Sequence, residues 1–364
     1  MTAASAPATN GRRIRWAIVG TGFMACNRMI PAIRSTDDSE IVAVAGGDRG
    51  RADTVAQKFE IPKAYDSVED MLLFEHSDAV YVGSKNNQHA GHVIAAARAG
   101  KHVLSEKPVA LTLDEAIAMH DACSAAGVVF GVNHYHRLKP SHTAMRRLIE
   151  DGAVGNVLSA QLTFAIQLAP EQRTWRLNST AEGGGVILDL TVHDADIVRA
   201  MFGADVIQVT AASAKRDTSA TDLDDTAAGV LQLRSGAIVS FLDSFVVPNP
   251  IHDIVVLGSK ATVIADSVMR SDSDGTVTVR RAGSTEAVEL TPWENPFRIS
   301  IGAFNQAVRG NGKPAVSGVD GIKSLAVALA VVESAQTGRR VSVPDVDALL
   351  ADSHSARRSP NTEK

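Results

Sequence analysis

Ile14-Arg15-Trp16-Ala17-Ile18-Val19-Gly20-Thr21-Gly22-Phe23-Met24-Ala25 is a short apolar run that breaks into a Gly-x-Gly-x-x-Ala turn. Behind the turn, Phe23 to Ile33 reads as a helix. In a strand–turn–helix of this kind the small residues do three things: they make a tight turn, admit a pyrophosphate, and let the helix pack closely on the strand. The helix N-terminus then faces the phosphates with its free N–H groups and the positive end of its dipole. The stretch predicts a dinucleotide-binding domain with Gly20, Gly22, Phe23 and Met24 against the cofactor.

The end of the next strand, Ile41 to Ala45, bears on which dinucleotide is bound. A carboxylate there would bond the adenosine ribose 2′-hydroxyl, whereas small residues with a nearby Arg admit a 2′-phosphate. The chain reads Gly46-Gly47-Asp48-Arg49-Gly50-Arg51. Two glycines remove the usual acidic side chain, and Arg49 and Arg51 are candidate phosphate partners, so NADP(H) is favoured. Asp48, turned inward, would favour NAD(H), and that alternative stays open.

Strand and helix continue to alternate. Ser67 reads as the N-cap of a helix through Leu73, with Asp70 in the acidic place of a capping box. The strand Ala79 to Val82 ends in a loop, Gly83 to His89, on the sheet edge that faces ligands in such folds. Asn86 and His89 are candidate cofactor contacts there, and His89 is equally a cap for the helix that runs to Ala99. The strand His102 to Ser105 ends in Glu106-Lys107-Pro108. Lys107, held between a carboxylate and a proline, either grips a substrate oxygen and stabilises developing negative charge or is a surface Lys paired with Glu106. A helix from Leu113 to Ala126 and a strand from Val128 to Val132 close the first domain. The crossing, Asn133-His134-Tyr135-His136-Arg137, either faces the site or packs at the domain boundary.

The whole chain has 364 residues, enough for two domains, with 45% hydrophobic and 21% charged residues. A net charge of −5 supplies no basic field for nucleic acid. No apolar run approaches the roughly 18 residues of a membrane span. Arg12-Arg13 precede an apolar segment that is short and strand-like, which argues against an export signal and leaves a cytoplasmic location as the expectation. Cys26 and Cys123 read as reduced thiols, and no metal site is expected. Residues 1–12 and 346–364 are expected to be disordered tails, flanking domains at 13–135 and 136–345.

The second half has a different rhythm. Runs of strand character at 157–166, 206–214, 228–233, 237–245, 251–257, 261–265, 276–280 and 286–290 are separated by short turns, which implies a large, open, mostly antiparallel sheet. Helices at 187–201, 297–309 and 319–337 cover one side, and the other suggests a homo-oligomer joined through the sheet. Within this half, Gly183-Gly184-Gly185 leads into Val186-Ile187-Leu188-Asp189-Leu190-Thr191-Val192-His193-Asp194-Ala195-Asp196. If Ile187 onward is α-helical, Asp189, His193 and Asp196 fall at i, i+4 and i+7 on one face. That face is either a proton-transfer site or a solvated acidic surface.

The Gly-x-Gly-x-x-Ala turn, Glu106-Lys107-Pro108, and the glycine triplet followed by Asp189-x-x-x-His193 together resemble the Gfo/Idh/MocA oxidoreductases over roughly residues 14–343. The resemblance implies an α/β protein: a Rossmann domain followed by an α/β domain with a large open sheet for substrate binding and oligomerisation. It implies hydride transfer between a nicotinamide and the carbonyl or hydroxyl carbon of a sugar or polyol. By the same resemblance Lys107, Asp189 and His193 are catalytic, with His193 the first choice of acid/base. Trp175 and Arg176 bind substrate, and Glu106 and Lys107 also approach the cofactor. Arg51 aligns with the phosphate-binding Arg of NADP-dependent members, and Phe164 with a pocket His of some of them. The competing readings are an NAD-dependent inositol, polyol or glycoside dehydrogenase and a non-catalytic NADP-binding sensor.

Overall fold

The computed structural model describes residues 11–169, 172–216 and 223–358. The chain divides into two compact units. The first runs to Asn133 and takes in Phe297–Ile322 and the chain from Asp345; the second is His134–Pro296 with Lys323–Pro344. The first crossing falls between Asn133 and His134, and two later segments return to the first unit, a division that a single boundary near 135 does not describe.

The first unit is a parallel six-stranded sheet of β1 (Ile14–Val19), β2 (Ser39–Ala45), β3 (Lys63–Tyr65), β4 (Ala79–Val82), β5 (His102–Ser105) and β6 (Phe130–Val132). The order is β3-β2-β1-β4-β5-β6, the doubly wound arrangement whose ligand crevice lies where the order reverses, between β1 and β4. Trp16, Ile18, Val80 and Tyr81 are buried, as expected of strands covered on both faces. The connecting helices are α1 (Ile30–Arg34), α2 (Arg49–Lys58), α3 (Val68–Phe74), α4 (His89–Arg98) and α5 (Leu113–Ala126). Ser67 caps α3 through Asp70 N–H at 3.0 Å. Thr112 and Glu115 form a full capping box on α5, which ends at Gly127 with φ +64°.

At the switch point the backbone is tight. Gly20 has φ +107°, and a Cβ there would sit 2.4 Å from the Gly83 carbonyl oxygen, so no side chain fits. Gly20 N–H bonds Ala45 O and Gly83 N–H bonds Val19 O, each at 2.8 Å, knitting the ends of β1, β2 and β4 together. The helix that follows is not one α-helix from Phe23 to Ile33. Ala25–Met29 is a π-turn in which Ile30 N–H bonds Ala25 O. Pro31 accounts for it: a proline ring clashes with the carbonyl four residues back, and the wider turn relieves that contact.

The chain from 346 is not a tail. Val346–Arg358 is a helix that buries Val346 and Leu350, and its Ser353 hydroxyl donates to Asp121 of α5 at 3.2 Å. Asp345 accepts from Ala348 N–H at 3.2 Å, a capped start just before the apolar pair Leu349-Leu350. Residues 1–10 and 359–364 of the expected tails lie outside the described residues. Arg12 is anchored, forked on Asp78 at 2.7 and 3.0 Å. The helix Pro296–Val308 packs Phe304 against Trp16, with ring centroids 5.2 Å apart.

The second unit is a ten-stranded sheet: β7 (Val157–Gln167), β8 (Val206–Ala214), β9 (Thr226–Leu233), β10 (Ile238–Ser244), β11 (Val246–Ile251), β12 (Ile254–Gly258), β13 (Thr262–Asp266), β14 (Thr276–Arg281), β15 (Ser284–Ala287) and β16 (Val341–Ser342). Its order is β15-β14-β13-β12-β7-β10-β9-β8-β16, and β11 pairs β7. The β7–β10 pairing is parallel and the others are antiparallel. One face packs on α6 (Pro140–Glu150) and α8 (Val192–Phe202) through Met145, Val198, Leu162 and Phe241. The other face exposes Val230, Ile238, Leu242 and Leu257. The strand β11 was not expected, because Pro248 and Pro250 lack ladder donors; it touches β7 only at Val246 and Ile251. No described helix is long and apolar enough to cross a membrane.

Candidate active site

In the first unit the expected catalytic residue is Lys107, half-buried on the loop after β5. Its neighbours are clamped. The Glu106 carboxyl points into the protein, where Oε1 accepts from the Tyr81 hydroxyl at 2.9 Å and from Asn133 Nδ2 at 2.6 Å. Burial raises its pKa above the ordinary carboxylate range. Glu106 is thus corrected from a cofactor contact to an internal strut beneath Lys107. His89 is corrected too: it is fully buried, Nδ1 lies 2.9 Å from Pro108 O, and Nε2 lies 3.1 Å from Ser84 O. It neither caps α4 nor faces a ligand; it ties the loop after β4 to the loop carrying Lys107. Burial pushes its pKa down to about 4, so the neutral ring donates to one carbonyl at a time. Asn86 is buried at the start of the short turn Asn86–Gln88.

The cofactor loop differs from expectation at two residues. Asp48 is the N-cap of α2 and accepts from Arg51 N–H at 2.8 Å, so its carboxylate is committed to the helix. Arg49 is held by Asp53, Nε to Oδ1 at 3.0 Å. Arg51 is exposed. A Cβ on Gly46 would lie 3.1 Å from Thr21 Cγ2, so the end of β2 adjoins the glycine turn. A Cβ on Gly22 would meet nothing within 4 Å. That open backbone at a helix start is what a pyrophosphate requires, and the residues fit a dinucleotide.

In the second unit the glycine triplet assembles the residues expected to bind substrate. A Cβ on Gly184 would sit 2.6 Å from Trp175 O and 2.9 Å from Arg176 O. Gly185, at φ +105°, donates to Arg176 O at 2.8 Å. The triplet lies directly on the backbone of α7 (Trp175–Asn178). The Arg176 guanidinium stacks 4.8 Å from the Trp175 ring centroid, and its Nε is 3.4 Å from Asp189 Oδ2. Trp175, Arg176 and Asp189 are thereby one group.

His193, 4% exposed, sits in a ring cluster with centroids at 4.6 Å to His136, 5.7 Å to His134 and Tyr135, and 6.3 Å to Phe164. The crossing segment therefore packs around the imidazole. Asp196 is bound by Arg137, Nε to Oδ2 at 2.8 Å, and by a second short guanidinium contact. The expected single face of Asp189, His193 and Asp196 is not formed. Ile187–Thr191 is a π-turn, with Val192 N–H bonded to Ile187 O, and the three side chains go to three different sets of partners. Tyr81 was missed from sequence, with no signal to find it, whereas Asn133, His134 and His136 belong to the crossing segment whose two readings, site-facing or boundary packing, the sequence left open.

A doubly wound nucleotide-binding unit, a Lys at the ligand edge of its sheet, and a carboxylate and imidazole on an open-sheet unit define a nicotinamide-dependent oxidoreductase. Two family profiles agree: "Oxidoreductase family, NAD-binding Rossmann fold" matches residues 14–134, and "Oxidoreductase family, C-terminal alpha/beta domain" matches residues 146–343. The chain belongs to the Gfo/Idh/MocA oxidoreductase family. It is 37% identical to 1,5-anhydro-D-fructose reductase of Ensifer adhaerens over 329 residues, 90% of this chain and 98% of the relative. It is 31% identical to D-apiose dehydrogenase of Paraburkholderia graminis, covering 94% of this chain and 93% of that one. Among solved structures, aldose-aldose oxidoreductase from Caulobacter crescentus, complexed with glycerol, superimposes with a TM-score of 0.84 at 26% identity, over 91% of this chain and 100% of that one. The chain is an NAD(P)-dependent sugar oxidoreductase acting on CH–OH groups.

Proposed function

We propose that this enzyme is an NADP(H)-dependent reductase of a cyclic keto-sugar of the 1,5-anhydro-D-fructose type. The observation that carries the reading is the Trp175–Arg176–Asp189 group, built by the glycine triplet: an aromatic face for the C–H side of a ring, backed by a directed donor set and a carboxylate for hydroxyls. Lys107 binds the reacting oxygen and stabilises its developing charge. His193 transfers the proton, a role typically worth about 10²–10⁴-fold. Asp189 orients substrate hydroxyls together with Arg176. The nicotinamide, when bound, supplies the hydride to the carbonyl carbon.

The NADP(H) reading is supported by the commitment of the Asp48 carboxylate to α2, the absent side chains at Gly46 and Gly47, and exposed Arg51. Arg49, engaged with Asp53, is the lesser phosphate candidate. Self-association through the face bearing Val230, Ile238, Leu242 and Leu257, in a cytoplasmic enzyme, completes the proposal.

The test is absorbance at 340 nm with NADPH and NADH across a panel of keto-sugars, and with NADP and NAD across polyols. Expected is NADPH oxidation with 1,5-anhydro-D-fructose or a close relative. Lys107→Ala and His193→Ala should each lower kcat by about 10²–10⁴-fold with NADPH binding retained. Preference for NAD with inositol or a glycoside would replace this reading by the polyol dehydrogenase one. Tight NADPH binding without turnover of any sugar would leave a sensor.

A further inference from the structure

We infer that Asp194 and Asp243 share one proton and act as a buried positioning pair, fixing the turn Ile187–Thr191 and the start of α8 on the sheet of the second unit. This rests on reading Asp189 and His193 as the substrate-side groups. Both carboxyls are fully buried. Asp194 follows His193 directly, in the first turn of α8. Asp243 comes from β10, where Val239, Phe241 and Asp243 face the core and Ile238 and Leu242 do not. It thus occupies a position its strand otherwise gives to apolar side chains.

The Thr191 hydroxyl donates to Asp243 Oδ2. Asp194 Oδ1, Asp194 Oδ2 and Asp243 Oδ1 are buried with no N–H or O–H of the described residues directed at them. Each carboxyl acts on the other electrostatically, so the two are neighbours, and carboxyl oxygens left without any other donor satisfy one another only when one of them holds a proton. Two carboxylates in a dry site cannot both ionise. Burial raises both, Asp194 well above the ordinary range and Asp243 to about 7.

The neighbouring groups leave the pair to itself. On α8, Asp196 is taken by Arg137, and His193 lies in its ring cluster. On β9 and β10, the Thr226 and Ser244 hydroxyls bond each other, and Asp225 accepts from Arg216 N–H. Thr191, Asp243 and Asp194 therefore form a chain that grips the backbone on both sides of His193. Asp243 is also the register partner of Phe164, whose ring is 6.3 Å from His193. Sheet, apolar wall and imidazole are held in one arrangement.

The pair is tested by amide and truncation variants of the full-length enzyme. Asp194→Asn and Asp243→Asn each supply a permanent N–H in place of the shared proton and should keep kcat within about threefold. Asp243→Ala should lower kcat by about tenfold or more with NADPH affinity held, because the reacting groups are displaced rather than removed. It should also speed amide hydrogen exchange at 187–194. If both Asn variants lose as much kcat as Ala, a full negative charge is required and the shared proton is refuted. Unchanged kcat and exchange in Asp243→Ala refute the positioning role. Should Asp243→Ala not fold, Thr191→Val replaces it with the same two readouts. Hydrogen exchange needs no substrate, so it judges the pair even if the assigned reaction fails.

Discussion

Arg137→Ala removes the partner of a carboxylate that has no access to water. The Asp196 side chain is 1% exposed and that of Arg137 12%, and two guanidinium nitrogens meet two carboxylate oxygens, with Ser324 Oγ a further 3.5 Å contact. At an effective dielectric of 20, charges about 4 Å apart interact by about 4 kcal/mol. Stranding one partner of a buried pair costs about 3–5 kcal/mol, and the two figures agree. In a domain of roughly 150–250 residues, each kcal/mol lowers Tm by about 2–4 °C, so Arg137→Ala should lose roughly 6–20 °C. Removing Asp196 as well relieves the stranded charge, so Arg137→Ala/Asp196→Ala should lose less than the sum of the single variants. A coupling of about 2–3 kcal/mol is expected from urea unfolding at neutral pH. A cost below about 1 kcal/mol, or singles that add within about 0.5 kcal/mol, would refute the reasoning.

Burial raises the Glu106 pKa, so the fold favours its protonated form; the stability it contributes is fully present below the ordinary carboxylate range and is lost as pH rises through the raised value. Glu106→Gln keeps an acceptor for Tyr81 and Asn133 and should flatten the fall of Tm with rising pH in a thermal-shift series; an unchanged slope would show that Glu106 ionises as freely folded as unfolded. His89→Ala leaves the Ser84 and Pro108 carbonyls without their bridge and should lower kcat by about tenfold or more through the Lys107 loop. His89→Gln, which keeps a donor, should recover part of that loss, and equal kcat in His89→Ala and wild type would remove His89 from any positioning role. Gly184→Ala forces a methyl to within 2.6 Å of Trp175 O and should lower kcat/KM for the sugar by about 10–100-fold while NADPH affinity stays level; an equal loss of NADPH affinity would point to general unfolding instead.

The Rossmann unit was legible because its signals are local. Glycine spacing, the cap at Ser67, and apolar strands buried on both faces each depend on a few adjacent residues. What escaped depends on where side chains turn once folded. Asp48 sits one residue beyond two glycines, where a carboxylate reads equally as ribose ligand or as N-cap, and the helix claimed it. Glu106 adjoins a candidate catalytic Lys yet points to Tyr81, a partner 25 positions away that no periodicity reveals. The strand β11 was hidden by Pro248 and Pro250, since proline within a run argues against a strand except at sparse pairing. The final helix was hidden by its polar end, although Asp345 and Leu349-Leu350 mark its start.

The glycine triplet and the π-turn behind it explain together why one sequence run serves three partner sets. A regular α-helix from Ile187 would stack Asp189, His193 and Asp196 along one side. The bond from Val192 N–H to Ile187 O takes one extra residue into the turn, and one residue corresponds to about 100° of helix rotation. Asp189 is thereby offset from the register of α8 and meets Arg176, which the Gly184 backbone contact has already brought there. The residues after the turn keep α8 register, with His193 in its ring cluster, Asp194 beside Asp243, and Asp196 on Arg137. No proline forces this wide turn, unlike the one before Pro31. Its anchors are the Gly185 contact with Arg176 at one end and the Thr191 bond to Asp243 at the other. The carboxylate pair and the glycines therefore act on the same five residues from opposite ends, and the direction of Asp189 depends on both.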